Sequence, residues 1–542
     1  MKKLLTLIAF VSTSLISVAQ SHIQWTTPEI TPGAQVNLLK GTNTDKFGNT
    51  YTIHFTQDPV NHYMTYRFFR YDTDGIKQWQ YDNDSCFTDC QDIYSIIVPV
   101  DNDGAIFIGY FDDLSGQWQI RIKRIGMSGN LVWQNYWNIP YIAGYPVTAR
   151  LDNAGNLVVA IKAIVAMPND NDFAFAKFET VNGSNIWHFE LPDQSAPTGW
   201  PQENITSMDI DAANNIYGCG IGGMDYYYFK LSSAGSLDYQ FIIHDNDSIQ
   251  MLNSAGVIQL LSGPDSDLYM LAGTDKKTWV QKYEAGTGNF IYTKIVEHDS
   301  ATVRPAGFVY DNNYIYTLNN YYYSFLDSTF AGIHYTNNDY MITKMDTGST
   351  TVWEKSFLEN LDTTFTFGSA RYGAAGMLAC GSNLYVLSTY LSDSANYTES
   401  LALNKIDFAG NIEWFDTTSG VYGPGGMAAD SNCNIYVSRP ENIGMGTLHV
   451  ITQKYSDNIT ALQEITINHP GWNVFPNPVH DVILISSAIK NDFKVQVINT
   501  TGETIIHEKN QKQLNVSSLA QGIYFLRIQD EKNVVVKKFL KE

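Results

Sequence analysis

Residues 101–133 read DNDGAIFIGYFDDLSGQWQIRIKRIGMSGNLVW, and relatives of this stretch recur along almost the whole chain. A polar turn, Asp101 to Gly104, opens it and leads into an apolar strand around Phe107 and an alternating strand from Gln119 to Ile125. Gly129-Asn130 then turns the chain into a strand carrying Trp133, and a further strand, Tyr94 to Val100, lies just upstream. Period-two alternation bounded by Gly, Asn and Asp is the pattern of short antiparallel strands joined by tight turns.

The turn-plus-strand element returns as DKFGNTYTI from Asp45, DNAGNLVVA from Asp152, DAANNIYGC from Asp211, PDSDLYMLA from Pro264, DNNYIYTLN from Asp311, CGSNLYVLS from Cys380 and DSNCNIYVS from Asp430, eight copies with that at Asp101. The last-strand element ends on Trp79, Trp133, Trp187, Tyr239, Tyr292, Trp353 and Trp414, seven copies. The eighth unit reaches Gln453-Lys454-Tyr455 without a Trp strand, whereas Trp25, in HIQWTTPEI, stands 54 residues before Trp79. The pattern predicts an all-β fold, an eight-bladed β-propeller over residues 20–465, whose N-terminal strand completes the last blade and leaves no open blade edge. Gly75, Gly129, Gly183, Gly235, Gly348 and Gly410 precede the aromatic positions and are expected at positive φ in the hairpin turns.

KIDFAGNIEW, from Lys405, has the form Lys-x-Asp-x-x-Gly-Asn-x-x-Trp. Over residues 40–455 the chain resembles the bacterial β-propeller repeat family and, more loosely, the tryptophan-docking motif of pyrroloquinoline quinone dehydrogenases. The first resemblance implies a fold and no activity. The second family adds a pair of adjacent cysteines over its cofactor, and no two of the five cysteines here are adjacent. The tryptophans therefore read as interblade packing.

At the N-terminus, Lys2 and Lys3 precede the apolar run Leu4 to Val18, which reads as a secretory signal over residues 1–19 cleaved near Ala19-Gln20. The run is short against the span of about 20 residues a bilayer requires, so the protein is expected not to span the membrane. A formal charge of −21 weighs against nucleic acid and anionic membrane surfaces as partners.

Composition shifts near residue 466. Residues 20–470 hold 23 Lys/Arg against 48 Asp/Glu, and residues 471–542 hold nine against seven. NVFPNPVHDVILI from Asn473, VQVINTTGETI from Val495 and LNVSSLAQGIYFLRI from Leu514 predict a small Ig-like β-sandwich of about seven strands over residues 466–542. In order, Pro476-Asn477-Pro478, Gly502, Leu519, Gly522-Ile523-Tyr524 and Lys537-Lys538 resemble the type A C-terminal sorting domain of the type IX secretion system of Bacteroidetes. That resemblance implies the secretion machinery as a partner, passage across the outer membrane, and a protein secreted or held at the outer cell surface.

Candidate chemistry is sparse. Hard cations need several converging oxygens, and the best calcium candidate is the loop holding Asp82, Asp84, Asp89 and Asp92; no other cofactor is indicated. Cys86 and Cys90, in the same loop, are candidates for a local disulfide, and Cys219, Cys380 and Cys433 read as packed thiols. Asp299-Ser300-Ala301 and Asp393-Ser394-Ala395 read either as O-glycosylation sequons or as polar loops. No HExxH or GxSxG motif signals a hydrolase. The long segments fall between second and third strands or between blades, on one face: Asn319–Asn338, Glu354–Ala375, His188–Asn204 and Ser388–Glu399. With neighbouring residues they supply Tyr321, Tyr322, Tyr323, Phe325, Phe330, His334, Tyr335, Trp200, Arg304, Arg371 and Tyr372, a set suited to sugar rings or extended peptides. The expectation is a surface binding or adhesion protein; the alternative is a surface enzyme acting on glycans or peptides at the propeller mouth.

Overall fold

The computed structural model describes residues 22–29, 36–57, 63–83, 86–87, 92–112, 118–138, 143–166, 170–190, 203–222, 225–244, 259–263, 267–273, 277–297, 302–311, 313–326, 334–357, 374–393, 398–419, 426–442, 448–457, 472–475, 479–487, 493–499, 504–529 and 534–541. Every regular element among them is a β-strand, and the chain divides into two compact units, His22–Asp457 and the segment from Asn458 to Glu542.

The first unit holds eight antiparallel sheets in chain order. Sheet 1 runs from Val36–Thr44 to Lys77–Asp82, with Cys86–Phe87 added beside Tyr63–Tyr71, and sheet 2 from Asp92–Pro99 to Leu131–Asn138. Sheet 3 runs from Ala143–Leu151 to Asn185–Glu190, sheet 4 from Glu203–Ile210 to Leu237–His244, and sheet 5 from Gln259–Ser262 to Phe290–Glu297. Sheet 6 runs from Thr302–Asp311 to Thr351–Phe357 and sheet 7 from Ala374–Cys380 to Ile412–Ser419. Sheet 8 has only three consecutive strands, Gly426–Ala429, Ile435–Asn442 and Leu448–Tyr455, and takes Ile23–Glu29 as its fourth, with Trp25 opposite Lys454. First strands of successive sheets pack side by side, and Val36–Thr44 lies against both Asp92–Pro99 and Gly426–Ala429.

The repeat residues explain why the units stack. At the first turn of a unit the Asp closes the loop on itself: Asp152 accepts from the amides of Ala154 (2.9 Å) and Asn156 (2.8 Å). Asp45, Asp211 and Asp430 do the same, so these carboxylates serve turns. The aromatic of each last strand seats on the next sheet. Trp25, Trp79, Trp133 and Trp187 donate their indole N–H to the carbonyls of Thr73, Met127, Thr180 and Ser233, at 2.8–3.2 Å. Their rings lie over Gly75, Gly129, Gly183 and Gly235, where a Cβ would come within 2.5–2.8 Å of the indole. These glycines therefore do more than turn the chain: each leaves room for the preceding sheet's tryptophan. Gly348 is an exception to the expectation, because in that turn the positive φ falls on Ser349 (74°).

A cation completes the joint. In every sheet the residue opposite the aromatic position is basic: Arg70, Arg124, Lys177, Lys230, Lys282, Lys344, Lys405 and Lys454. Arg124 donates to the Thr180 carbonyl that Trp133 also reaches, Lys344 to that of Phe408 with Trp353, and Lys454 to that of Thr73 with Trp25. The charge is compensated locally; Lys177 Nζ lies 2.6 Å from Asp152. Burial alone would raise the Asp152 carboxyl, but Lys177 and Asn156 hold it below the usual carboxylate range.

Of the sulfurs between sheets, Cys219 is as expected and two others are not. Cys219 is a buried free thiol, pushed up to about 12 by burial. Cys380 and Cys433 are not packed thiols: they form a disulfide joining sheet 7 to the first turn of sheet 8, with Cα atoms 5.5 Å apart.

In the second unit, Trp472–Phe475, Val482–Ser487 and Gln513–Asn515 form one sheet, and Thr504–Lys509, Lys494–Asn499, Gly522–Gln529 and Val534–Lys541 the other. One apolar cluster draws Ile483, Ile485 and Leu514 from the first and Val495, Val497, Leu526, Ile528 and Phe539 from the second.

Candidate functional site

Tight turns join first to second and third to fourth strands. The connections on the opposite side of each sheet hold most of the residues outside the described set. Alternation and pleating place side chains on the sheets regardless of what these connections do, which frees them to vary.

Sheet 6 departs from its neighbours. The segment expected to be an irregular loop, Asn319–Asn338, is largely a hairpin: Tyr314–Leu326 and His334–Asp346 are 13-residue strands in unbroken register from Tyr314 opposite Asp346 to Leu326 opposite His334. Its run of Tyr and Asn lacks apolar alternation yet pairs in register and extends the ladder, so β-pairing prevails over the polar composition. In this register Tyr322 stands opposite Asn338, Tyr323 opposite Asn337 and Phe325 opposite Tyr335.

The base of the hairpin is anchored. Asn320 is buried and brackets sheet 7, its Nδ2 donating to the Ala374 carbonyl (3.0 Å) while its Oδ1 accepts from the Ala374 amide (2.8 Å). Tyr321, 2% exposed, packs with Val296, Val303 and Met341; this corrects its expected place on the binding surface, because an inward position on the hairpin buries it. Arg304 is half-buried on the adjacent strand, opposite Asn320. Trp200, Phe330, Arg371 and Tyr372 lie outside the described residues. Thus the structure brings Arg304 to the base of the hairpin that carries Tyr322, Tyr323, Phe325, His334 and Tyr335.

Of the calcium candidates, Asp82 accepts from Gln80 (2.6 Å) and lies 3.3 Å from Arg67, so its charge already has a partner. Asp92 lies on the first strand of sheet 2, and Asp84 and Asp89 lie outside the described residues, as does Cys90. Among the described residues no three His, Cys, Asp or Glu side chains are grouped to hold a metal.

In the second unit, Tyr524 donates to the Ala520 carbonyl (3.0 Å) and stacks on Phe539, and Gly522 begins the strand that holds it. Lys537 and Lys538 stand opposite Leu526 and Phe525 on the last strand; Pro476, Asn477, Pro478 and Gly502 lie outside the described residues.

Residues 473–542 match the family model of the secretion system C-terminal sorting domain. A search of curated proteins finds no match. Among solved structures the chain is similar to a protein from Lactobacillus plantarum, at 13% identity over 70% of this chain and 95% of that one, with a TM-score of 0.40. It is also similar to PorZ, a surface component of the type IX secretion system of Porphyromonas gingivalis, at 10% identity over 93% and 82%, with a TM-score of 0.32. The β-propeller domain of the Trilobed protease from Pyrococcus furiosus aligns at 9% identity over 69% and 96%, with a TM-score of 0.36. No helix among the described residues is long and apolar enough to cross a membrane.

Proposed function

We propose that this β-propeller protein, marked by its sorting domain for secretion or the cell surface, is an eight-bladed ring that binds a glycan or an extended peptide through its long-loop face. The eight sheets are read as eight blades, the strand Ile23–Glu29 as the piece that closes the ring, and the two sheets of the second unit as an Ig-like sandwich. Residues 1–19 are read as the signal peptide, 20–465 as the ring and 466–542 as the sorting domain, through which the type IX machinery exports the chain.

The observation that carries the binding role is the sheet 6 hairpin. Its strands exceed the eight-residue pair of sheet 2 by five residues. At about 3.3 Å per residue this is about 16 Å of extra reach. A paired ladder whose sequence carries Tyr322, Tyr323, Phe325 and Tyr335 gathers aromatic residue types along one hairpin, a composition that suits pyranose faces and extended backbones. The acidic ring favours neutral or basic ligands.

Glycan and peptide arrays probed with the full chain test this reading, with Tyr322→Ala/Tyr323→Ala as the variant and Tyr321 left in place as part of the core. Binding that falls at least tenfold at unchanged melting temperature supports the face assignment. A variant that binds as the wild type refutes it.

A further inference from the structure

The first turn of sheet 8, Asp430 to Asn434, is tied on both sides. Toward sheet 7 it carries Cys433, bonded to Cys380, and both residues are half-buried. Toward sheet 1, the amide and the hydroxyl of Ser431 both donate to the Lys46 carbonyl, at 3.1 and 2.7 Å. Within the turn Asp430 is buried, and its Oδ2 accepts from the Tyr436 hydroxyl at 3.1 Å and from Asn434 Nδ2 at 2.7 Å. Gly48 of sheet 1 lies so close that a Cβ there would come within 2.6 Å of the Tyr436 hydroxyl and 3.1 Å of Asp430 Oδ2. The fully buried Tyr436 ring is in turn what the N-terminal strand meets: Trp25 lies 5.9 Å from it, and Lys454 Nζ 5.7 Å. The position of this turn therefore sets that of Tyr436 and, through it, the seat of Trp25.

Cys433 is an unusual residue for its place. The same position in the first turns of sheets 1, 3 and 4 holds Gly48, Gly155 and Asn214, each donating its amide to the carbonyl of the turn's Asp. Their φ values, 89°, 80° and 64°, lie in the left-handed region that glycine and asparagine tolerate. Cys433 makes the same hydrogen bond at φ 60° with a side chain disfavoured there. Such a residue persists where its surroundings over-determine it, and the bond to Cys380 is the constraint that the other three turns lack.

We propose that the Cys380–Cys433 disulfide is a redox-sensitive latch on the N-terminal strand. Oxidised, it holds the turn left-handed, with Tyr436 fixed against Trp25. A dithiol opens it by exchange: one thiolate attacks a sulfur of the bond and releases the other, and the second thiol of the reagent then displaces the first. The protein takes up the two protons and two electrons as two thiols, and the reagent leaves as its own disulfide. The turn then relaxes, and the pairing of Ile23–Glu29 with sheet 8 opens more often, while sheets 2 and 3, remote from the bond, keep their protection. This rests on the reading of Ile23–Glu29 as the strand that closes the ring.

Hydrogen exchange of the native full chain, read peptide by peptide by mass spectrometry, tests it. We expect a dithiol to speed exchange in Ile23–Glu29 and Ile435–Asn442 at least tenfold and to leave Leu131–Asn138 of sheet 2 and Leu157–Ala166 of sheet 3 unchanged. Cys380→Ser/Cys433→Ser should exchange like the reduced wild type, with or without dithiol, which separates this bond from any effect at Cys86 or Cys90. Cys380→Ser/Cys433→Asn, with a residue suited to the left-handed turn, should recover protection severalfold. If the serine pair does not fold, the dithiol-treated wild type carries the comparison. Exchange that rises by the same factor in every sheet, a serine pair that matches the oxidised wild type, or an asparagine variant no better protected than the serine pair overturns the latch. Protection of Ile23–Glu29 that is indifferent to reduction also overturns it and leaves ring closure standing, whereas no protection there even when oxidised overturns the closure reading itself.

Discussion

Replacing Gly183 with alanine isolates the seating of one sheet's tryptophan on the next, and Gly155 supplies the control. Both glycines sit in tight turns of sheet 3 at nearly equal φ, 75° and 80°. A Cβ on Gly183 would lie 2.7 Å from the Trp133 ring, whereas one on Gly155 meets nothing within 4 Å. The shared backbone cost of a left-handed alanine is about 1–2 kcal/mol. Gly183→Ala adds overpacking of about 1–3 kcal/mol against a ring held in a filled joint. Displacing that ring also weakens the Trp133 bond to the Thr180 carbonyl, about 1 kcal/mol. The expected difference between the two variants is therefore about 2–4 kcal/mol. For a unit spanning His22–Asp457, an unfolding entropy of about 2.1 cal/mol/K per residue converts this to about 2–4 °C. Differential scanning calorimetry of both variants measures it, and repeating the pair in a Trp133→Leu background should shrink the gap. Equal melting temperatures for Gly155→Ala and Gly183→Ala would refute the docking argument.

Three further outcomes are expected. Deleting residues 20–30 removes the strand that carries Trp25 and should cost about 3 kcal/mol, on the scale of losing a large aromatic and its packing; calorimetry showing an unchanged transition contradicts ring closure. Breaking the Cys380–Cys433 link with Cys380→Ser/Cys433→Ser opens a loop of sequence separation 53. By loop entropy this costs about 4 kcal/mol, read by urea unfolding with and without a dithiol. His54 is buried, and burial with Arg67 and Lys77 nearby lowers its pKa from 6.5 to about 3. Its neutral form is favoured in the fold, so this stability is complete above about pH 6.5 and declines as pH falls toward 3, by up to about 1.4 kcal/mol per pH unit. A His54→Asn variant should show a shallower acid dependence of melting, and identical pH profiles would remove His54 from the account.

What could be read from the residues follows from how local each feature is. The Asp turns and the Trp spacing are short-range signals that repeat, and the missing eighth Trp strand pointed to Trp25 because a ring must pair both its ends. The disulfide was illegible because Cys380 and Cys433 meet only across an interface between sheets, and neither lies in a spacing that marks a pair. The sheet 6 hairpin read as a loop because its Tyr-Asn runs lack apolar alternation, although they pair in register. The second role of the glycines depends on which way each strand is turned toward its neighbour. Of the candidate binding residues, Tyr321 is buried in the joint with Val303 and Met341, a placement that depends on which face of the strand it takes.

The functional account stands on export through the C-terminal segment, and the most direct measurement is where the chain goes when that segment is removed. In a host with type IX secretion, the full chain should reach the medium or the outer surface. A chain ending at Asp457, which retains the whole first unit, should accumulate in the periplasm, folded, with the calorimetric transition that the first unit shows in the full chain. Secretion of the shortened chain at the level of the full one would contradict the account.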